Sequence, residues 1–203
     1  MQRGRFITLE GGEGSGKSTQ GRLLADHLRG KGHEVVLTRE PGGTPGAEAI
    51  RALAVTGEPD RWMPWSDALL MTAARVDHVE RVIRPALGRG ATVVCDRFID
   101  STRAYQGAGR GLPDAALCRL HDDAVGLWPD LTLVLLLDEA DGLRRAAARG
   151  SAEARFEAIG AAFHARVQGF FVALPAAEPA RCRSIDASGS IAAVSARIIA
   201  ALA

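Results

Sequence analysis

Asparagine is absent from this 203-residue chain, lysine occurs only at positions 17 and 31, tyrosine only at 105, and cysteine at three places. Without asparagine there can be no Asn-Lys-x-Asp run, which removes the guanine-reading switch proteins. Cys95, Cys118 and Cys182 are odd in number, far apart and without metal-ligand spacing, so they predict reduced thiols, not a disulfide framework or a zinc site. No apolar run is long enough to span a bilayer and the amino terminus lacks a signal pattern. Lys and Arg total 25 against 24 Asp and Glu, a net charge of +1, which gives no footprint for nucleic acid or an anionic membrane. The expectation is a cytoplasmic protein with small anionic partners.

The length suits a single α/β domain. "RFITLE", "EVVLT", "ATVVCD", "LTLVLLLD" and "CRSID" are five short β-rich runs separated by helical text, an alternation that predicts a parallel sheet covered on both faces. Helices are predicted over 47–55, 66–87, 114–127, 143–149, 156–174 and 191–202. The glycine and proline clusters Arg39 to Gly46 and Tyr105 to Pro113 read as loops at the carboxyl ends of strands, where open α/β sheets gather ligands.

The stretch "LEGGEGSGKSTQ" carries the first chemical signal. Gly11, Gly16, Lys17 and Ser18 fit G-x-x-x-x-G-K-[ST], with Gly12, Glu13, Gly14 and Ser15 between them and Thr19 following. Small residues let backbone N–H groups curl around phosphate oxygens, and lysine supplies a point charge. An apolar strand precedes the loop and a helix follows, so the helix N-terminus adds its partial positive charge. Ser18 is the predicted magnesium ligand.

A P-loop alone leaves switch, pump, motor and kinase open. Asp96 ends the apolar strand "VVCD" and can hold magnesium or its water, while Arg97 offers a planar fork for phosphate. Arginines also sit near predicted loops, at 39, 51, 75, 97, 149 and 155. Between Arg149 and Arg155 a Gly-Ser pair interrupts helical text, predicting a short basic lid over about 147–157 that closes on nucleotide phosphates. Phosphoryl transfer needs alignment, dryness and positive charge over the equatorial oxygens, which such a lid supplies.

Together, "FITLEGGEGSGKST", "TREPGGTPGAEAIR", "CDRFIDSTRAYQGAGRGL", "PDLTLVLLLD" and "FHARV" resemble bacterial thymidylate kinases over nearly the whole chain. The resemblance implies a P-loop NTPase fold of the nucleoside monophosphate kinase type, ATP and Mg2+, thymidine 5′-monophosphate (dTMP) as acceptor, and a homodimer packed through helices near the 66–87 segment. It places Glu40 and Pro41 beside the bound monophosphate and Arg51 and Arg97 on its phosphate. Arg75 would meet the thymine edge. Ser101, Thr102 and Gln106 would form one polar wall, and Tyr105 would lie against the sugar where a 2′-hydroxyl has no room. Glu13 would face acceptor and metal. No residue from Gly12 to Ser15 is basic, which resembles the subgroup whose catalytic arginine comes from the lid, Arg149 or Arg155. Met71 occupies the position usually held by a base-stacking phenylalanine, and Ala154 that of the usual aspartate before the lid arginine.

Overall fold

The computed structural model describes residues 3–138, Gly142 and 159–202. The predicted helix over 143–149, the start of that over 156–174, and the lid segment with Arg149 and Arg155 lie outside the described residues.

Five parallel strands form the sheet: β1 (Phe6–Glu10), β2 (Val35–Arg39), β3 (Thr92–Asp96), β4 (Leu131–Leu136) and β5 (Cys182–Asp186), in the order β2-β3-β1-β4-β5. β1 is central and wholly buried. Its side chains alternate with the two-residue period of a strand. Phe6 joins a core with Val93, Cys95, Phe98, Val79 and Ile83 on one face. Ile7 and Leu9 join Leu24, Val94, Leu133, Ile185 and Ile198 on the other. A sheet buried on both faces favours parallel strands with helical crossovers.

The helices are α1 (Lys17–Gly30), α2 (Pro45–Val55), α3 (Pro64–His78), α4 (Arg84–Gly88), α5 (Ile99–Thr102), α6 (Asp114–Ala124), α7 (Ala161–Ala177) and α8 (Ile191–Ala200). The single helix predicted over 66–87 is instead α3, a π-helical section at Val79–Ile83, and α4. Pro85 lies just past the π-helical section, and it has no N–H to give the carbonyl of Arg81.

The predicted loop from Tyr105 to Pro113 also differs. Arg103–Gly109 is a buried π-helical continuation of α5. Its glycines permit close approach more than they turn the chain: a Cβ on Gly109 would stand 2.4 Å from the Phe163 ring of α7.

Register sets the site. Leu9 on β1 pairs with Asp96 on β3, and Arg39 on β2 pairs with the same residue. The three carboxyl ends therefore finish level, and the loops leaving them share one crevice.

Candidate active site

The loop between β1 and α1 turns on glycines with positive φ: Gly11 at 138°, Gly14 at 69° and Gly16 at 90°. No side chain caps α1. The first intrahelical bond of that turn runs from Gln20 N to Gly16 O at 3.0 Å, so the amides of Lys17, Ser18 and Thr19 are the first-turn donors that a helix leaves without intrahelical acceptors. An uncapped N-terminus with a buried lysine is suited to an anion. Lys17 Nζ donates to Gly11 O at 3.0 Å and Gly12 O at 2.8 Å, and lies 3.3 Å from Ser15 Oγ. Burial, helped by the charge of Arg97, brings the Lys17 pKa down to about 8.

Ser18 Oγ donates to Asp96 Oδ2 at 2.5 Å. A hydroxyl and a carboxylate from two elements thus meet beside the phosphate loop. These are hard oxygen donors, and few of them, which fits Mg2+, an ion that keeps most of its shell as water and phosphate.

Arg97 follows Asp96 with φ 68°, a left-handed conformation for a non-glycine residue. Such a conformation costs about 1–3 kcal/mol and persists where surrounding structure enforces it. Here Arg97 N donates to Leu9 O at 3.0 Å. The strained backbone aims the guanidinium into the crevice: Nη1 donates to Ser101 Oγ at 3.2 Å, and Nη2 to Glu13 Oε2 at 3.1 Å and Tyr105 Oη at 3.3 Å. Glu13 of the phosphate loop and the α5 wall are therefore joined through one arginine.

A cavity opens beside it, with about 460 Å³ of empty space when its solvent mouth is included. Glu40, Pro41, Met71, Arg75, Arg97, Ser101, Thr102, Tyr105 and Gln106 are among the residues that line it. Nine of the ten residues predicted for the acceptor thus share one cavity. Arg51 does not line it; its Nη1 donates to Pro41 O at 2.9 Å and so supports the wall from behind.

Arg75 is buried, with Nε donating to Glu40 Oε2 at 2.7 Å and Nη2 to Thr102 Oγ1 at 3.0 Å. Its Nη1 is buried without a hydrogen-bond partner. An unpaired buried donor on a guanidinium costs about 1–3 kcal/mol or more. Gln106 Nε2 is held by Asp67 Oδ2 at 3.3 Å, itself paired with Arg110 at 3.0 Å.

Glu10 and Phe98 stand against residues of the site, and sequence reasoning missed both. Glu10 is fully buried at the end of β1, and its carboxylate accepts from Phe98 N at 2.7 Å, Ser101 N at 3.2 Å and Ser101 Oγ at 2.6 Å. Burial, reinforced by the charge of Asp100, pushes its pKa up to about 7. The available signal was one acid closing an otherwise apolar run just before the glycine loop. Phe98 lies under Arg75, whose guanidinium carbon is 5.0 Å from the ring centre.

A glycine loop with a buried lysine, a Ser–Asp pair and an arginine-lined cavity on one crevice describe a phosphotransferase with two nucleotide places. The thymidylate kinase family profile matches residues 9–198. The chain is 56% identical to the thymidylate kinase of Caulobacter vibrioides, over 98% of this chain and 95% of that one. It is 52% identical to that of Dinoroseobacter shibae, over 99% and 97%. The crystal structure of thymidylate kinase from Ehrlichia chaffeensis superposes with a TM-score of 0.80 at 33% identity, covering 99% of both chains. By profile, relatives and fold alike, this chain belongs to the thymidylate kinase family.

Proposed function

We infer that this protein is an ATP-dependent thymidylate kinase, moving the γ-phosphate of ATP to dTMP to give dTDP and ADP. The observation that supports the acceptor assignment is Arg75, which lines the cavity and has a buried Nη1 without a hydrogen-bond partner. A base carbonyl satisfies it, whereas a base amine in the same place would leave two donors facing each other.

We propose the following roles. The amides from Gly11 to Thr19 and the Lys17 ammonium hold the ATP phosphates. Ser18 and Asp96 would hold Mg2+, which when bound draws charge from the phosphate oxygens. Arg97 sits where Glu13, Ser101 and Tyr105 converge, so its fork can bridge the acceptor phosphate and the group in transfer. Tyr105 walls the sugar and Met71 packs on the base. Arg149 or Arg155, outside the described residues, supplies the lid cation that Gly12 to Ser15 lack.

We further propose one kinase domain over 1–203, working as a cytoplasmic homodimer. Trp65 and Leu69 of α3 and Leu53 of α2 are large apolar side chains exposed on neighbouring helices, which supports pairing through that face. Val79, at the start of the π-helical section, is core, and Val76 packs against that core. Among the described residues no helix is long and apolar enough to cross a membrane. A coupled ADP-release assay tests the reaction: ADP forms when dTMP, ATP and Mg2+ are present together, and a rate independent of dTMP would overturn the assignment.

A further inference from the structure

Five histidines occur in the chain, and sequence reasoning treats them as surface or satisfied core. His78 is of the second kind, a satisfied core histidine. It is fully buried at the end of α3, and both ring nitrogens are engaged. Nδ1 lies 3.0 Å from Glu40 Oε1, and Nε2 lies 2.7 Å from Thr38 Oγ1. A carboxylate only accepts, so Nδ1 carries the proton toward Glu40. In the neutral ring Nε2 then accepts from the Thr38 hydroxyl.

Glu40 passes the constraint on. Its second oxygen, Oε2, takes Arg75 Nε at 2.7 Å, and Thr102 takes Arg75 Nη2 at 3.0 Å. These two contacts fix the plane of the guanidinium and leave Nη1 as its one nitrogen without a partner. The relay therefore runs Thr38, His78, Glu40, Arg75 from β2 to the cavity. The ring also fills the space beside the loop after Pro41: a Cβ on Gly43, whose φ is 89°, would stand 2.6 Å from His78 Cδ2 and Nε2. His78 thus sets the place of both the carboxylate and the loop that carries it.

We propose that His78 is a positioning residue for acceptor recognition, orienting Glu40 and through it the Arg75 donor that meets the pyrimidine edge. This rests on the acceptor reading above. Small displacements of an orienting group are costly because recognition depends on sub-ångström alignment. His78 is not among the residues lining the cavity, so its loss should act on acceptor binding through Glu40 and leave the ATP side unaltered.

The test uses two amides that each mimic one ring nitrogen. His78→Asn places its amide nitrogen where Nδ1 was and keeps the donor to Glu40. His78→Gln reaches the Nε2 place and keeps only the Thr38 contact. The expected result is a KM for dTMP about tenfold higher in His78→Gln and within about threefold of the parent in His78→Asn, with KM for ATP unchanged in both. Thr38→Val, at a half-buried position, should raise the dTMP KM less than His78→Gln does. Equal behaviour of the Asn and Gln variants, or a loss shared by ATP, would overturn the relay. Where either variant fails to fold, Thr38→Val decides: an unchanged dTMP KM counts against the relay and a selective rise supports it. Should the parent enzyme not phosphorylate dTMP at all, the acceptor reading fails instead. Calorimetric binding of dTMP to the same variants then judges the relay separately.

Discussion

Arg97 lies over the ring of Tyr105, its guanidinium carbon 5.1 Å from the ring centre, while Nη2 bonds both the Tyr105 hydroxyl and the Glu13 carboxylate. One side chain thereby ties the phosphate loop, the end of β3 and the α5 wall. A lysine ammonium is a compact point charge without the rigid planar fork, so it cannot reproduce these contacts and the ring stacking together. Arg97→Lys should lower kcat about 10²-fold and leave KM for ATP nearly unchanged. Steady-state kinetics at saturating dTMP checks this.

Met71 is buried in the cavity wall and in the cluster with Ala54, Tyr105 and Phe163. Residues four apart on a helix share a face, so it stands on the same side of α3 as Arg75. A thioether packs against a base but fixes its orientation less firmly than a ring. Met71→Phe should hold or improve dTMP affinity, measured by calorimetry. A severe loss would mean that the base lies elsewhere.

Two buried titratable groups give opposed pH dependences of stability. The Glu10 pKa is raised from 4.5 to about 7 by burial and by Asp100, against the pull of Ser101, Arg97 and Phe98 N–H. Between pH 4.5 and 7 the folded chain keeps a proton that the unfolded chain has lost, so this group's contribution falls as pH rises. The His121 pKa is lowered from 6.5 to about 4 by burial and by Arg75, against Leu127 O, Glu40 and Asp122. Between pH 4 and 6.5 the unfolded chain holds the extra proton, so this contribution falls as pH drops. Each slope reaches at most about 1.4 kcal/mol per pH unit. Glu10→Gln should leave a protein that weakens on acidification across the shared window, and His121→Gln one that strengthens. Urea midpoints against pH check the signs; the same sign in both variants would contradict the assignment.

The fold was legible because its signals are local. Five β-rich runs alternate with helical text, and the glycine spacing before Lys17 names its own loop; the sheet follows from both. The acceptor cavity was legible only through resemblance, since Glu40, Arg75 and Tyr105 are distant in sequence and no periodicity links them. Glu10 and His78 escaped because their meaning is in their partners. An acid at a strand end and a histidine on an amphipathic helix look ordinary until Ser101, Thr38 and Glu40 are brought against them. The 103–109 segment escaped for a different reason: glycines that admit Phe163 look, in sequence, like glycines that turn a loop.

The lid arginines should separate binding from turnover. No residue from Gly12 to Ser15 is basic, which resembles the subgroup whose catalytic arginine comes from the lid. Arg149→Ala or Arg155→Ala should lower kcat by about 10³-fold or more at whichever position is catalytic, with little change in ATP affinity. Equal small effects on both parameters at both positions would mark them as surface arginines.

The most direct measurement is kcat/KM for dTMP, dUMP and dCMP in one ADP-release assay at fixed ATP and Mg2+. One missing methyl is worth about 1–3 kcal/mol, so dUMP should be a poorer substrate by about 10- to 200-fold. Cytosine carries an amine where thymine carries a carbonyl, so with Arg75 donating to that edge dCMP should fall well below dUMP. That descending order is the predicted result. Turnover of dCMP equal to or better than dTMP would contradict the account, because Arg75 could not then be meeting a base carbonyl.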